Sequence, residues 1–305
     1  MALQNAKVGS VTQDAPSPGV GRILLRAWWV MRRYPLIPAI ILVVLVFSAI
    51  FGPLVAPYPA NSGELNDKLL PPLSRGIDGG FHLLGTDHVG RDEFSRLMGG
   101  SRITLSIAAI ALSVGITVGT TLGLVSGFFG GFVDEIITRM VDIWYALPFL
   151  LVALIMTFIF GKSLSVMLTV LALIAWAGFV RIIRAQVLVL REMDYVDAAR
   201  IAGATNVRIL WKHIFPGIVN TAVVIASISV GGLILAEATL SFVGAGIQPP
   251  TPAWGVMVND GRSYLQSAWW LVGMPGIAIF MVVISLNFLG DWLRDRLDPT
   301  LRQID

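Results

Sequence analysis

Long uninterrupted apolar runs dominate the chain. Five predominantly apolar stretches lie near 36–56, 103–129, 141–160, 217–243 and 269–290, with a sixth, shorter one near 163–180. At 1.5 Å per residue, runs of about 18 residues or more can cross a hydrocarbon core of roughly 30 Å. The apolar positions run on continuously, whereas the strands of a membrane barrel would alternate over about ten residues. The pattern predicts an all-α, polytopic membrane helix bundle of about six transmembrane helices.

Composition agrees with this reading. A chain of 305 residues would ordinarily suggest two soluble domains, but 55% hydrophobic and 13% charged residues is too apolar for that. The net charge of +3 is small and dispersed, so no nucleic-acid partner is expected. With no cysteine, disulfides, thiol catalysis and thiolate metal sites are excluded. The chain has only three histidines, His82, His88 and His213, the last far from the other two, so neither a metal site nor a catalytic residue is expected.

Charge placement orders the segments. Residues 1–19 are small, polar and proline-containing, as in a disordered tail. Residues 20–34 mix Arg22, Arg26, Arg32 and Arg33 with Trp28 and Trp29, as in a basic helix lying in the headgroup layer. Residues 35–56 are then an uncleaved first span, longer than a signal core and with a late basic flank. If the N-terminus is inside, the 22 basic residues divide fifteen inside to seven outside, which predicts a multi-pass protein with both termini cytoplasmic. Residues 57–102 become an extracytoplasmic segment, in which Asp87, Asp92 and Glu93 among Arg91, Arg96 and Arg102 predict a paired, folded unit. Residues 103–290 form a five-span core with an internal loop at 181–216, and 291–305 form a cytoplasmic tail.

Two features carry more specific expectations. Gly115, Gly119, Gly123 and Gly127 recur every four residues, so they share one slowly winding groove where another helix can approach closely. The loop after the fourth span is too long for a turn and is built to be helical. Asp194 and Asp197 suit the start of a short helix, Ala198, Ala199 and Ala202 give it a small-residue face, and Gly203 permits a chain reversal. A second short helix, from about 205 to 213, is expected to end at Pro216, where the next span begins. Such a helix–turn–helix suits either docking into another protein's groove or lying on the headgroups.

Asp197-Ala198-Ala199, with Gly203 four residues after Ala199 and Pro216 thirteen beyond that, resembles the Glu-Ala-Ala loop of binding-protein-dependent ABC import permeases. The chain departs from that pattern in Asp197 for Glu, His213 for an aliphatic residue and Phe215 for Leu. Leu84-Gly85-Thr86-Asp87 with Gly90-Arg91-Asp92 and Ser95-Arg96 is similar to the dipeptide, oligopeptide and nickel permeases. So are Ala236-Glu237-Ala238 with Leu240-Ser241-Phe242, Gln248-Pro249-Pro250, Trp254-Gly255, and Gly290-Asp291 with Leu297-Asp298-Pro299. The resemblance covers about residues 22–301 and is to the "C" type of the two permease subunits.

This resemblance implies a type I ABC importer permease (MetI-like) core with an extra N-terminal span, in a bacterial inner (plasma) membrane. It implies a heterodimer with a partner permease, two ATPase subunits that bind ATP and Mg, an extracytoplasmic substrate-binding protein, and no cofactor or enzymatic role in this chain. Asp197, Ala198, Ala199, Gly203 and Pro216 would form the ATPase-coupling loop. Short peptides are the expected cargo, with nickel chelates or other small solutes as the alternative.

Other signals are weaker. Gly161-Lys162-Ser163 matches the end of a phosphate-binding loop, but Met156 stands where that pattern needs glycine. Glu237 lies in an apolar run and is a possible translocation-path residue, although its position suggests the outer interface, where a structural or hydrogen-bonding role is the preferred reading. Trp254, Trp269 and Trp270 read as interfacial anchors. A secondary transporter is the competing class, but the spans are nearly free of charge away from their ends, and such a protein leaves the long internal loop unexplained.

Overall fold

The computed structural model describes residues 35–297. The expected tail at 1–19, the interfacial helix at 20–34 and the last residues of the C-terminal tail lie outside them. The described residues form an all-α bundle with a small, largely non-helical insertion between the first two spans.

Helix α1 (Leu36–Val55) follows Pro35, and its buried residues, Pro38, Leu45, Ala49 and Gly52, form one narrow stripe. Gly52 lets α1 close on α2, since a Cβ there would lie 3.0 Å from the Met98 carbonyl oxygen. The remaining sides of α1 are apolar and uncovered, as a peripheral helix in lipid requires.

Residues 57–92 then fold as a compact unit with a 3-10 turn (Leu65–Asp67) and a hairpin of β1 (Ser74–Arg75) with β2 (Phe81–His82). Helix α2 (Glu93–Phe129) begins ten residues before the apolar run, capped by Asp92, whose side chain accepts from the Ser95 backbone N–H at 2.8 Å. Such a cap contributes about 1 kcal/mol.

The stretch at 141–160, expected as one span, is two helices. Helix α3 (Gly131–Ala146) and helix α4 (Phe149–Phe160) meet at 86°. Pro148 is the cause: it lacks an N–H to continue the ladder and forces Leu147 into an extended conformation, ψ 127. Helix α5 (Leu164–Leu190) starts at the Ser163 cap and runs through ten residues expected to belong to the loop. Helix α6 (Asp194–Ile201) and helix α7 (Asn206–Ile209) form the short pair. Helix α8 (Phe215–Phe242), helix α9 (Trp254–Gly261) and helix α10 (Trp270–Leu297) complete the chain.

Among the described residues, five helical segments are long and apolar enough to cross a membrane, and the bent pair makes a sixth if taken together. At the centre, α2 and α5 pack along their length, with α8 against both and α10 against α8 and α1. The main core joins Ile107, Ala108 and Ala111 of α2 to Met167, Val170 and Leu171 of α5 and to Leu233, Ile234 and Leu240 of α8.

Candidate functional site

The four glycines of α2 lie against α5. A Cβ on Gly119 would stand 2.5 Å from the Phe179 Cβ and from the Trp176 carbonyl oxygen, and one on Gly127 would stand 2.8 Å from the Val187 Cβ. Gly115 meets Ala175, and Gly123 meets Val180 and Ile183. The two backbones are therefore closer than any side chain would allow.

At the end of this contact α2, α3 and α5 are tied by charge. Asp134 on α3 receives Arg184 of α5 in a bidentate pair at 2.5 and 2.6 Å, and it also accepts from the Ser126 hydroxyl of α2. Arg191 adds a hydrogen bond to the Gly127 carbonyl at 2.9 Å.

The short helix pair sits on this tied end. Val196 of α6 and Ile209 of α7 are fully buried, packing with Phe128, Ile183, Val187 and Ile218. Gly203 takes φ +80, and its N–H bonds the Arg200 carbonyl while Ala204 N–H reaches Ala199, which closes α6. Thr205 then caps α7. Asp194 and Asp197 occupy the first turn of α6, where negative charge suits the dipole, and Asp197 pairs with Arg200 at 3.0 Å.

The outer side of the pair is uncovered. Asp197, Ala198, Ala202 and Gly203 are exposed and Ala199 half-buried. Ile201 is 89% exposed and Val207 and Trp211 are each 65% exposed, so three large apolar side chains project beside the small-residue face. Isolated exposed apolar residues are ordinary, but a group of them on a rigid, otherwise charged element marks contact with another protein or with the headgroup layer.

The second short helix does not end at Pro216, as expected. It passes through a π turn (Leu210–Ile214) into α8 with Pro216 in the first turn of that helix, so 206–242 is one continuous helix. The wider turn, in which the Phe215 N–H bonds the Leu210 carbonyl, accommodates the proline without a break.

At the opposite end a buried polar cluster was foreseen as paired, though not its depth. Arg91 and Arg96 are 6% and 1% exposed. Arg91 Nε meets Asp87 at 2.6 Å, and both arginines stand 3.8–3.9 Å from Asp260 of α9. His82 shares a 2.8 Å hydrogen bond with Asp92. Burial raises the Asp260 carboxyl above its ordinary value, against the pull of Arg96, His88 and Arg91.

Trp254 and Trp270, expected at the interface, are instead buried, donating to the Leu97 carbonyl at 2.9 Å and the Thr86 carbonyl at 3.3 Å. They hold the polar cluster to the helices, and only Trp269 of the three is exposed. Glu237 is fully enclosed on α8, where one carboxylate oxygen accepts from the Ser241 hydroxyl at 2.8 Å and Thr104 of α2 lies beside it. The buried partner roles of Arg96, Trp254 and Trp270 had no signal in hydropathy; only the alternation of opposite charges before α2 hinted at the first.

Residues 119–303 match the family described as binding-protein-dependent transport system inner membrane component, and residues 26–72 match the N-terminal TM domain of oligopeptide transport permease C. The dipeptide transport system permease protein DppC of Escherichia coli (strain K12) is 49% identical over 86% of this chain and 87% of its own. The di/tripeptide transport system permease protein DppC of Pseudomonas aeruginosa (strain UCBPP-PA14) is 37% identical over 99% of this chain and 98% of its own. The glutathione transport system permease protein GsiD of Shigella flexneri serotype 5b is 39% identical over 87% of this chain and 86% of its own. Among solved structures, an inward-facing form of the MetNI methionine ABC transporter superposes with a TM-score of 0.55 at 20% identity, over 67% of this chain and 96% of that one, a likeness of fold.

Proposed function

The chain belongs to the binding-protein-dependent transport system inner membrane component family, and from that premise we propose that it forms, with a partner permease, the path of an ATP-driven importer of short peptides. It is a multi-pass membrane permease subunit. Short peptides are the preferred cargo because relatives at 49% and 37% identity carry dipeptides and di/tripeptides by name. Glutathione, named for a relative at 39%, is the second choice.

One observation carries the mechanism: α6 and α7 are riveted to the bundle by Val196 and Ile209 while Ile201, Val207 and Trp211 project outward. In our reading this face, with Asp197, Ala198, Ala199 and Gly203, seats in a cleft of an ATPase subunit on the cytoplasmic side. ATP and Mg are bound there, and an extracytoplasmic binding protein delivers cargo to the other side. ATP-driven closure of the ATPase pair moves the docked helices, and α5 and α8 move with them. Glu237, enclosed against α2, steadies the path wall.

Both termini are cytoplasmic in this reading, which puts Arg184, Arg191, Arg200, Arg208 and Lys212 on the inner side. The test is co-purification from membranes. Wild-type chain should bring ATPase subunits with it, and Trp211→Asp with Ile201→Asp should lose them while the chain stays in the membrane. Retention of the ATPase by the double variant would refute the docking face.

A further inference from the structure

Around the insertion at 57–92 the acidic side chains fall into two groups. Asp87 and Asp260 are answered by Arg91 and Arg96. Glu64, Asp67, Asp78 and Asp92 instead line a cavity of about 340 Å³ whose walls include no lysine or arginine. Asp92 is committed to His82 and to capping α2, which leaves Glu64, Asp67 and Asp78 without a lysine or arginine partner among the described residues. Glu64 and Asp78 are exposed, and the charge of Asp78, then a hydrogen bond shared with it, hold the Glu64 carboxyl above its ordinary value.

Two buried side chains point to a guest. His82 and Asp67 are 5% and 6% exposed, and both line the cavity. A carboxylate only accepts, so the 2.8 Å bond to Asp92 places the imidazole proton on Nδ1, and the neutral ring presents its Nε2 lone pair. That lone pair has no hydrogen bond. Asp67 Oδ2, 4.0 Å away, is likewise an acceptor without a donor, while its Oδ1 accepts from the Ile77 N–H at 2.9 Å. The Tyr58 ring, stacked on His82 with centroids 4.8 Å apart, forms a further wall.

A water would satisfy the two acceptors and leave the carboxylate charge unanswered, whereas a cation bearing several N–H groups does both. Among the described residues no three His, Asp or Glu side chains converge so as to hold a metal ion, which favours an organic cation. We propose that this cavity binds an alkylammonium or guanidinium group, held by Asp67 and His82, drawn in by Glu64 and Asp78, and covered by the Tyr58 ring. The source of that group rests on the importer reading above, which puts the insertion on the outer side. It is a lysine or arginine of the extracytoplasmic binding protein, or the free amino end of a peptide.

The probe is argininamide, which carries both groups and no carboxylate, titrated calorimetrically into the intact complex of permease and ATPase subunits in lipid nanodiscs. It should bind once per copy of this chain. Asp67→Asn, which keeps an oxygen for the Ile77 N–H, should weaken it by about tenfold or more, as for loss of a hydrogen bond to a charged group. Glu64→Gln with Asp78→Asn, both exposed and outside the packed interior, should weaken it about fivefold. A binding-protein source requires that argininamide and the variants weaken association of that protein with the complex, and that dialanine alone not bind. A peptide source requires that dialanine bind without the binding protein, with association of that protein unchanged.

Argininamide that does not bind, or that binds wild type and variants alike, would overturn the cation site, and binding-protein-stimulated ATP hydrolysis would leave the importer reading standing. Absence of stimulated hydrolysis with argininamide binding kept would instead remove the importer reading and the two sources drawn from it, and leave the site.

Discussion

Gly203 shows how much one backbone angle decides. It sits at φ +80 with nothing within 4 Å of the position a Cβ would take, so a side chain there would meet open space and the penalty lies in the backbone. For a β-branched residue that penalty is about 1–2 kcal/mol or more. Gly203→Val should therefore leave the spans assembled but tilt α6 against α7, and ATP hydrolysis should continue with uptake reduced. Paired hydrolysis and uptake assays check this; unchanged uptake per ATP would count against the coupling role. Arg96 makes the opposite case. At 1% exposure it faces Asp87 and Asp260, and Arg96→Met would leave these carboxylates with Arg91 as their remaining counter-charge, at up to about 3 kcal/mol. The expected result is a lower thermal midpoint in detergent, by several degrees.

Among the elements, the glycine row of α2 was readable because a period of four needs only sequence, and α5 lies against it at Gly119 and Gly127. Gly119→Leu has no side chain to displace cheaply, since Trp176 presents backbone there; the variant should fail to accumulate, as measured by the amount of folded protein extracted from membranes. Other boundaries were hidden for identifiable reasons. Averaged hydropathy passes smoothly over Leu147-Pro148, although that dipeptide turns the chain through 86°. It also stops at 103, because Glu93, Arg96 and Arg102 look solvent-seeking, whereas Glu93 and Arg96 are buried in the first turn of a helix capped by Asp92. Continuity through Pro216 was hidden by the ordinary rule that proline ends a helix. A π turn, which has no sequence mark, suspends that rule here.

For the whole molecule, class and family were legible because both rest on patterns that hold along the entire chain: apolar run length and motif spacing. Side-chain partners joined across distant segments were not. Thr104 beside Glu237, Trp254 on Leu97 and Asp134 on Arg184 each join residues far apart in sequence, and nothing local to either partner names the other. The Asp134 bracket is the most testable at this scale. Asp134→Asn should keep the Ser126 contact but lose the bidentate pair, loosening α3 from α5; faster limited proteolysis at 130–146 with normal membrane insertion is the expected readout.

The unbroken helix from Asn206 to Phe242 has one more consequence. Trp211, at its exposed foot, and Glu237, wedged near its head, belong to a single rod about 55 Å long. A shove at the foot passes first through the π turn and Pro216, and whatever is not absorbed by bending there tilts the rod and swings its head the other way.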